Sequence, residues 1–135
     1  MIICGIELKS NNTILTLIQK TNDNTTFIDS KTKKLILGDD ETKNSLLIFQ
    51  DKLDQFLEEN KVEKIALKKR AKKGTFAGGA VTFKIEAMIQ LNTVCEVEFI
   101  SSQAISKYTK KNEVSIPKEL NKYQEQAYLS SLLLV

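Results

Sequence analysis

The sequence predicts an α/β fold: an antiparallel three-stranded meander leads into βα units, giving a mixed five-stranded sheet flanked by helices. Three observations predict it. Apolar or alternating runs at residues 2–8, 14–18 and 25–37 are separated by polar, turn-forming clusters, the pattern of strands joined by short turns. Farther along, apolar residues recur at helical spacing near 46–57, 79–91 and 119–133. Between those helices lie short apolar runs, at 62–67 and 95–100, and strands alternating with helices build a sheet with parallel neighbours.

Residues 2–8 are almost wholly apolar, which marks a central strand. Lys9 to Thr13 is a turn by composition. In the next run Ile14, Thr16 and Ile18 point one way, Leu15 and Leu17 the other. A second polar turn at 21–24 leads into 25–37, with a break expected near Lys31, Lys33 and Lys34. Asp39 or Asp40 is positioned to cap the first helix. Leu46, Phe49, Leu53, Phe56 and Leu57 form its buried face, and Asn60 and Lys61 end it. The fourth strand is 62–67. In the helix that follows, Val81, Ile85 and Met88, with Phe83, Ala87 and Leu91, cover most of the circumference. That helix is expected to be largely buried, with Thr82, Glu86 and Gln90 as a narrow solvent-facing stripe. A fifth strand at 95–100 precedes a short helix capped by Ser101 or Ser102 and running through Tyr108. A polar loop at 109–118 contains the single proline, Pro117, and a last helix has Leu120, Tyr123, Ala127 and Tyr128 as its inner face.

A chain of 135 residues, 41% apolar and 27% charged, suits one domain spanning 1–135. No apolar run is long enough to cross a bilayer, and the first residues lack the basic and apolar regions of a signal peptide, so a cytoplasmic protein is expected. Cys4 and Cys95 then read as reduced, buried thiols. There is no histidine, which removes His-based acid–base catalysis, Ser-His and Cys-His dyads and the common His-containing zinc sites. The net charge of +3 is uneven: residues 1–60 carry −3 and residues 61–135 carry +6. A basic second half points to a polyanionic partner, DNA or RNA.

The charge is concentrated in one place. After the apolar Ile65, Ala66 and Leu67 come five cations in six positions, Lys68, Lys69, Arg70, Lys72 and Lys73. Gly74, Gly78 and Gly79 follow, and then the second helix. A strand thus delivers cations to a glycine-containing turn that opens a helix, whose first N–H groups have no intrahelical partner and favour an anion. Lys68, Lys69, Arg70, Lys72, Lys73, Gly78 and Gly79 are therefore the candidate phosphate-binding residues, with Phe76 available to stack on a base.

The order of elements resembles the RNase H-like fold, and local wording resembles its RuvC-like branch. An apolar run ending in Gly5, Ile6 and the acidic Glu7 is similar to the first strand of RuvC-type proteins. The strand ending at Lys68 is placed like their fourth, and residues 123–128 lie where their last helix carries an acid. Residues 73–84 resemble a small bacterial family of this fold, a domain of unknown function. The resemblance implies a nuclease in which three or four carboxylates hold two divalent metals that activate water. Here the first acid is Glu7, Lys68 stands at the second acidic position, no acid lies between Lys64 and Lys84, and Glu125 is the last-helix candidate. With two carboxylates at most and ammonium groups beside them, the resemblance implies a degenerate site that attracts phosphate and repels metal.

The leading expectation is therefore a protein without nuclease activity or cofactor that binds nucleic acid through the basic corner. One alternative is a Mg²⁺-dependent RuvC-type nuclease using Glu7 and Glu125. Another is an interaction or homodimerisation module that buries the apolar C-terminal residues 132–135. Glu7 has a plainer role available as the ion-pair partner of Lys68 on the adjacent strand.

Overall fold

The segment at 25–37 is divided, so the sheet has six strands rather than five. The computed structural model describes residues 1–70 and 79–134. In chain order they form β1 (Ile2–Lys9), β2 (Asn12–Lys20), β3 (Thr25–Ile28), β4 (Lys34–Ile36), α1 (Lys43–Glu59), β5 (Lys64–Lys68), α2 (Ala80–Gln90), β6 (Glu96–Ile100), α3 (Ser102–Lys111), a 3₁₀ turn at Lys122–Gln124, and α4 (Glu125–Leu133). The sheet order is β3-β2-β1-β5-β6, with β4 pairing β2 beyond β3. The β1–β2, β2–β3 and β2–β4 pairs are antiparallel, while β5 lies parallel to both β1 and β6. The predicted meander and βα units are thus present.

Each strand of the sheet's centre has one residue set for each face. Cys4, Ile6, Leu15, Leu17, Ile65 and Leu67 meet Phe49, Leu53 and Leu57 of α1 and Ile85 and Ile89 of α2. On the opposite face Ile3, Ile18, Ala66 and Ile100 meet Ile105 of α3 and Tyr128 and Leu129 of α4. Each of these large apolar side chains contributes about 1.5–3 kcal/mol on burial. Among the described residues, no helix is long and apolar enough to cross a membrane.

Gly5 sets how closely α4 approaches. A Cβ at this position would collide with the Ala127 carbonyl oxygen and come within 2.8 Å of Thr16 Oγ1. Only a residue without a side chain lets α4 lie directly on β1. The helix runs back along the strand: the Gln124 side chain donates to the Leu15 carbonyl at 2.9 Å near its start, and Lys20 Nζ donates to the Leu134 carbonyl at 3.2 Å at its end. The N-terminus of α4 consequently lies over the C-terminal half of β1, the end that carries Glu7.

Several expectations are corrected. Thr42, not Asp39 or Asp40, caps α1, its hydroxyl accepting from the Ser45 N–H at 3.3 Å. Asp39 instead accepts from the Glu41 N–H within the preceding turn. The helix α2 is rotated from its expected setting. Thr82, Ile85 and Ile89 are buried, whereas Phe83, Ala87 and Leu91 face outward. Tyr123 is exposed, with Lys34 Nζ 5.6 Å from its ring centroid, because the chain there is a 3₁₀ turn and not the first turn of α4. Cys95 is only half-buried. In the C-terminal segment Leu134 is buried and Leu132 and Leu133 pack against the second core, so this stretch covers the sheet. Val135 lies outside the described residues.

Candidate functional site

The site is built at the C-terminal ends of β1 and β5. These strands are parallel neighbours, with Gly5 opposite Ala66 and Ile6 opposite Leu67. Strand alternation sends Glu7 and Lys68 to the same face, the one α4 covers. There Lys68 Nζ donates to Glu7 Oε2 at 3.3 Å, the cross-strand ion pair the sequence suggests. Lys9 Nζ lies 3.9 Å from the other oxygen, too far for a hydrogen bond. Glu7 is a buried residue, and its Oε1 has no hydrogen-bond partner among the described residues.

Glu125 begins α4 at this same end of the sheet and is half-buried. Among the described residues no ion pair joins it to the Glu7–Lys68 pair, and no three His, Cys, Asp or Glu side chains gather where one metal ion would sit. The residues present do not fit a pair of divalent metals. Such ions need several oxygen ligands at one point, whereas here the one buried carboxylate is matched to an ammonium group.

The cation run is divided among three surroundings. Lys68 faces Glu7. Lys69 is exposed, and its N–H donates to the Ile100 carbonyl at 2.7 Å, tying the end of β5 to the start of α3. Arg70 turns the other way, toward α2. Its Nη2 donates to Glu86 Oε1 at 3.3 Å, and its Nε lies 3.2 Å from Oε2 but off line for a hydrogen bond. The guanidinium stacks on Phe83, with Cζ 3.1 Å from the ring centroid. This explains the setting of α2: Glu86 faces the buried guanidinium instead of water, and Phe83 covers it. Lys84, one residue on from Phe83, pairs with Asp40 at 2.9 Å. Two of the three described cations of the run are thus already neutralised: the sequence suggests the Glu7–Lys68 pair and misses the Arg70–Glu86 pair. The signal available was the pair of acids, Glu7 and Glu86, each one strand or one helix away.

Gly79 caps α2 without a side-chain hydrogen bond, and a Cβ there would meet open space. Its lack of a side chain is not demanded by packing. Lys72, Lys73, Gly74, Phe76 and Gly78 lie outside the described residues. On α3, Lys107, Lys110 and Lys111 are exposed.

The thiols do not belong to this site. Burial, with Cys95 nearby, pushes the Cys4 thiol far above its ordinary range. Burial and then the Asp54 and Glu96 carboxylates push Cys95 up to about 11. Neither forms the reactive thiolate near neutral pH.

The strand order and the α4 packing define an RNase H-like fold of the RuvC-like kind. Solved structures bear this out at the level of the fold. RuvC of T. thermophilus, in complex with a Holliday junction substrate, superposes with a TM-score of 0.69 at 12% identity, over 97% of this chain and 90% of that one. The yeast mitochondrial Holliday junction resolvase matches with a TM-score of 0.56 at 13% identity, over 98% and 75%. The Fowlpox virus resolvase, in complex with Holliday junction DNA, matches with a TM-score of 0.53 at 20% identity, over 98% and 99%. No curated protein matches the sequence. The chain belongs to the DUF3010 family, described as protein of unknown function, whose model matches residues 1–133.

Proposed function

We propose that this is a cytoplasmic nucleic-acid-binding protein that has given up metal-dependent cleavage. The observation that carries the reading is the Glu7–Lys68 ion pair, an ammonium group 3.3 Å from the carboxylate where the β1 and β5 ends meet. An ammonium there opposes a divalent ion electrostatically and leaves the carboxylate no need of one. Nucleic acid as the polyanion is supported by the basic run Lys68, Lys69, Arg70, Lys72 and Lys73 and by the resolvases of this fold that hold Holliday junction DNA. Of the described cations in the run, Lys69 is exposed and in no ion pair, so it is the one that meets phosphate directly.

The test is binding of branched, duplex and single-stranded DNA and of RNA across a range of salt, with a cleavage assay in Mg²⁺ or Mn²⁺ on the same samples. Affinity is expected to fall steeply with salt, and Lys69→Ala is expected to lower the log–log slope by about one. No binding at low salt, or a slope unchanged when all five cations are replaced by Ala, removes the proposal. Metal-dependent cleavage lost in Glu7→Gln establishes the nuclease reading in its place.

A further inference from the structure

We infer that Tyr123 is a stacking platform for an unpaired nucleobase, placed across the carboxyl end of β1 from the basic run. The inference rests on the proposed function and deepens it by naming the form of the nucleic acid, a single-stranded segment.

The ring is held in place from outside the core. Gln124, the next residue, pins the 3₁₀ turn: its Oε1 accepts from the Asn121 N–H at 3.0 Å, and its Nε2 donates to the Leu15 carbonyl of β2 at 2.9 Å. Gln124 is buried, whereas Tyr123 stays 37% exposed on the outer side of the same turn and joins neither hydrophobic core. Core packing therefore does not account for this aromatic, and its fixed backbone makes it a preorganised contact.

The surroundings select the ligand. Lys34 Nζ lies 5.6 Å from the ring centroid, and strand alternation puts Ile36, which is 57% exposed, on the same face of β4 as Lys34. Register carries this surface to β1. Glu7 pairs with Ile14 and Ile14 with Lys34; Lys9 pairs with Asn12 and Asn12 with Ile36. Within these two rows and the turn, the exposed charges are Lys9, Lys34 and Lys122, all positive, and the one acid, Glu7, is buried against Lys68. Lys34 and Lys122 are in no ion pair among the described residues. An exposed ring and isoleucine framed by ammonium groups suit a ligand with flat apolar faces on an anionic backbone, bases on the ring and phosphates on the lysines. An apolar protein surface fits less well, because docking it would strip water from three ammonium groups. A duplex fits less well too, because its stacked bases offer no free face to the ring.

The platform and the basic run are within reach of one strand. From Lys34 on β4 to Lys68 on β5 is three strand spacings, about 14 Å. At about 3.4 Å per nucleotide, some four nucleotides reach from Tyr123 to the end of β5.

The test compares a short oligo(dT) with an oligonucleotide of the same length made of abasic nucleotides, which keeps the phosphates and lacks the bases. Affinities are read by fluorescence anisotropy of labelled oligonucleotides at fixed low ionic strength. Wild type is expected to bind oligo(dT) at least about fivefold more tightly than the abasic strand. Tyr123→Ala is expected to weaken oligo(dT) binding by about fivefold to a hundredfold and to leave abasic binding unchanged. Tyr123→Phe, which keeps the ring, is expected to bind like wild type. Tyr123→Leu, which keeps apolar bulk without the ring, is expected to match the Ala variant, with urea denaturation confirming that both fold. Lys34→Ala is expected to weaken both oligonucleotides alike. Equal binding of the two oligonucleotides by wild type, full oligo(dT) affinity in a folded Tyr123→Ala variant, or full affinity in Tyr123→Leu overturns the inference. Salt-dependent binding that ignores Tyr123 removes this inference and leaves the proposed function standing, whereas no binding of any oligonucleotide at low salt removes both.

Discussion

Replacing Lys68 with Met removes the ammonium that faces Glu7 while keeping most of the side chain's volume. The size of the effect follows from the geometry. At 3.3 Å and an effective dielectric of about 20, the Coulomb attraction is about 5 kcal/mol. Both groups lost water to form the pair, and their side chains remain 11% and 20% exposed, so much of that attraction is offset. A net coupling of about 1–3 kcal/mol remains. The single substitution costs more than the coupling, because it strands the Glu7 carboxylate. Its remaining neighbour, Lys9 at 3.9 Å, has a side chain that is 58% exposed. We expect Lys68→Met to destabilise by about 2–4 kcal/mol, and Glu7→Gln by about 1 kcal/mol because Lys68 can swing into water. In a domain of this size the first loss corresponds to a fall in Tm of about 6–15 °C. Urea denaturation of wild type, both single variants and the double variant closes the cycle. The double variant should be more stable than the sum of the singles predicts, by the coupling energy. Additivity within about 0.5 kcal/mol would show that the two groups do not hold each other, and the account of a carboxylate reassigned from metal to lysine would fall with it.

Two further outcomes follow from the packing. Gly5→Ala drives a methyl group into the Ala127 carbonyl and against Thr16 Oγ1, so α4 must lift from β1; we expect a loss of about 3 kcal/mol or more by urea denaturation, and a loss under 1 kcal/mol would refute the close packing of α4. The Cys4 thiol titrates higher in the folded than in the unfolded chain, where its ordinary value is 9.0. Its neutral form therefore supports the fold fully below that value, and the support declines as pH rises, because the unfolded chain loses its proton first. Cys4→Ala should cost most at pH 8 and progressively less above pH 9, converging by up to about 1.4 kcal/mol per pH unit. A cost independent of pH between 8 and 10.5 would refute the burial of that thiol.

The layout of the fold was legible because strand and helix periods differ so clearly in this chain. Ile14, Thr16 and Ile18 against Leu15 and Leu17 gave the faces of β2, and Phe49, Leu53, Phe56 and Leu57 the inner face of α1. What was not legible depends on contacts distant in sequence. The orientation of α2 turns on Arg70, which demands a counter-charge from a helix ten residues later. With Phe83 and Ile85 both apolar, periodicity alone cannot say which faces the core. The cap of α1 was misplaced because Asp39 and Asp40 precede Thr42 and both are acceptable caps by type; geometry selected the threonine. The Glu7–Lys68 pair was legible, since both residues end strands expected to be neighbours.

Three consecutive cations, Lys68, Lys69 and Arg70, look like one basic patch when read as text. A strand end cannot present them as one. Alternation at the end of β5 sends Lys68 to the α4 face, the next peptide is captured by Ile100 at the head of α3, and Arg70 swings to α2 on the opposite face. Two of the charges then meet acids whose own positions only make sense with a cation there: Glu7 is buried, and Glu86 lies against a guanidinium that Phe83 shields. Each cation is held by its acid, so neither is free to neutralise a phosphate without releasing that acid. Affinity for a polyanion must therefore come from groups the fold leaves uncommitted. Among the described cations of the run that is Lys69, and on α3 Lys107, Lys110 and Lys111 are exposed as well.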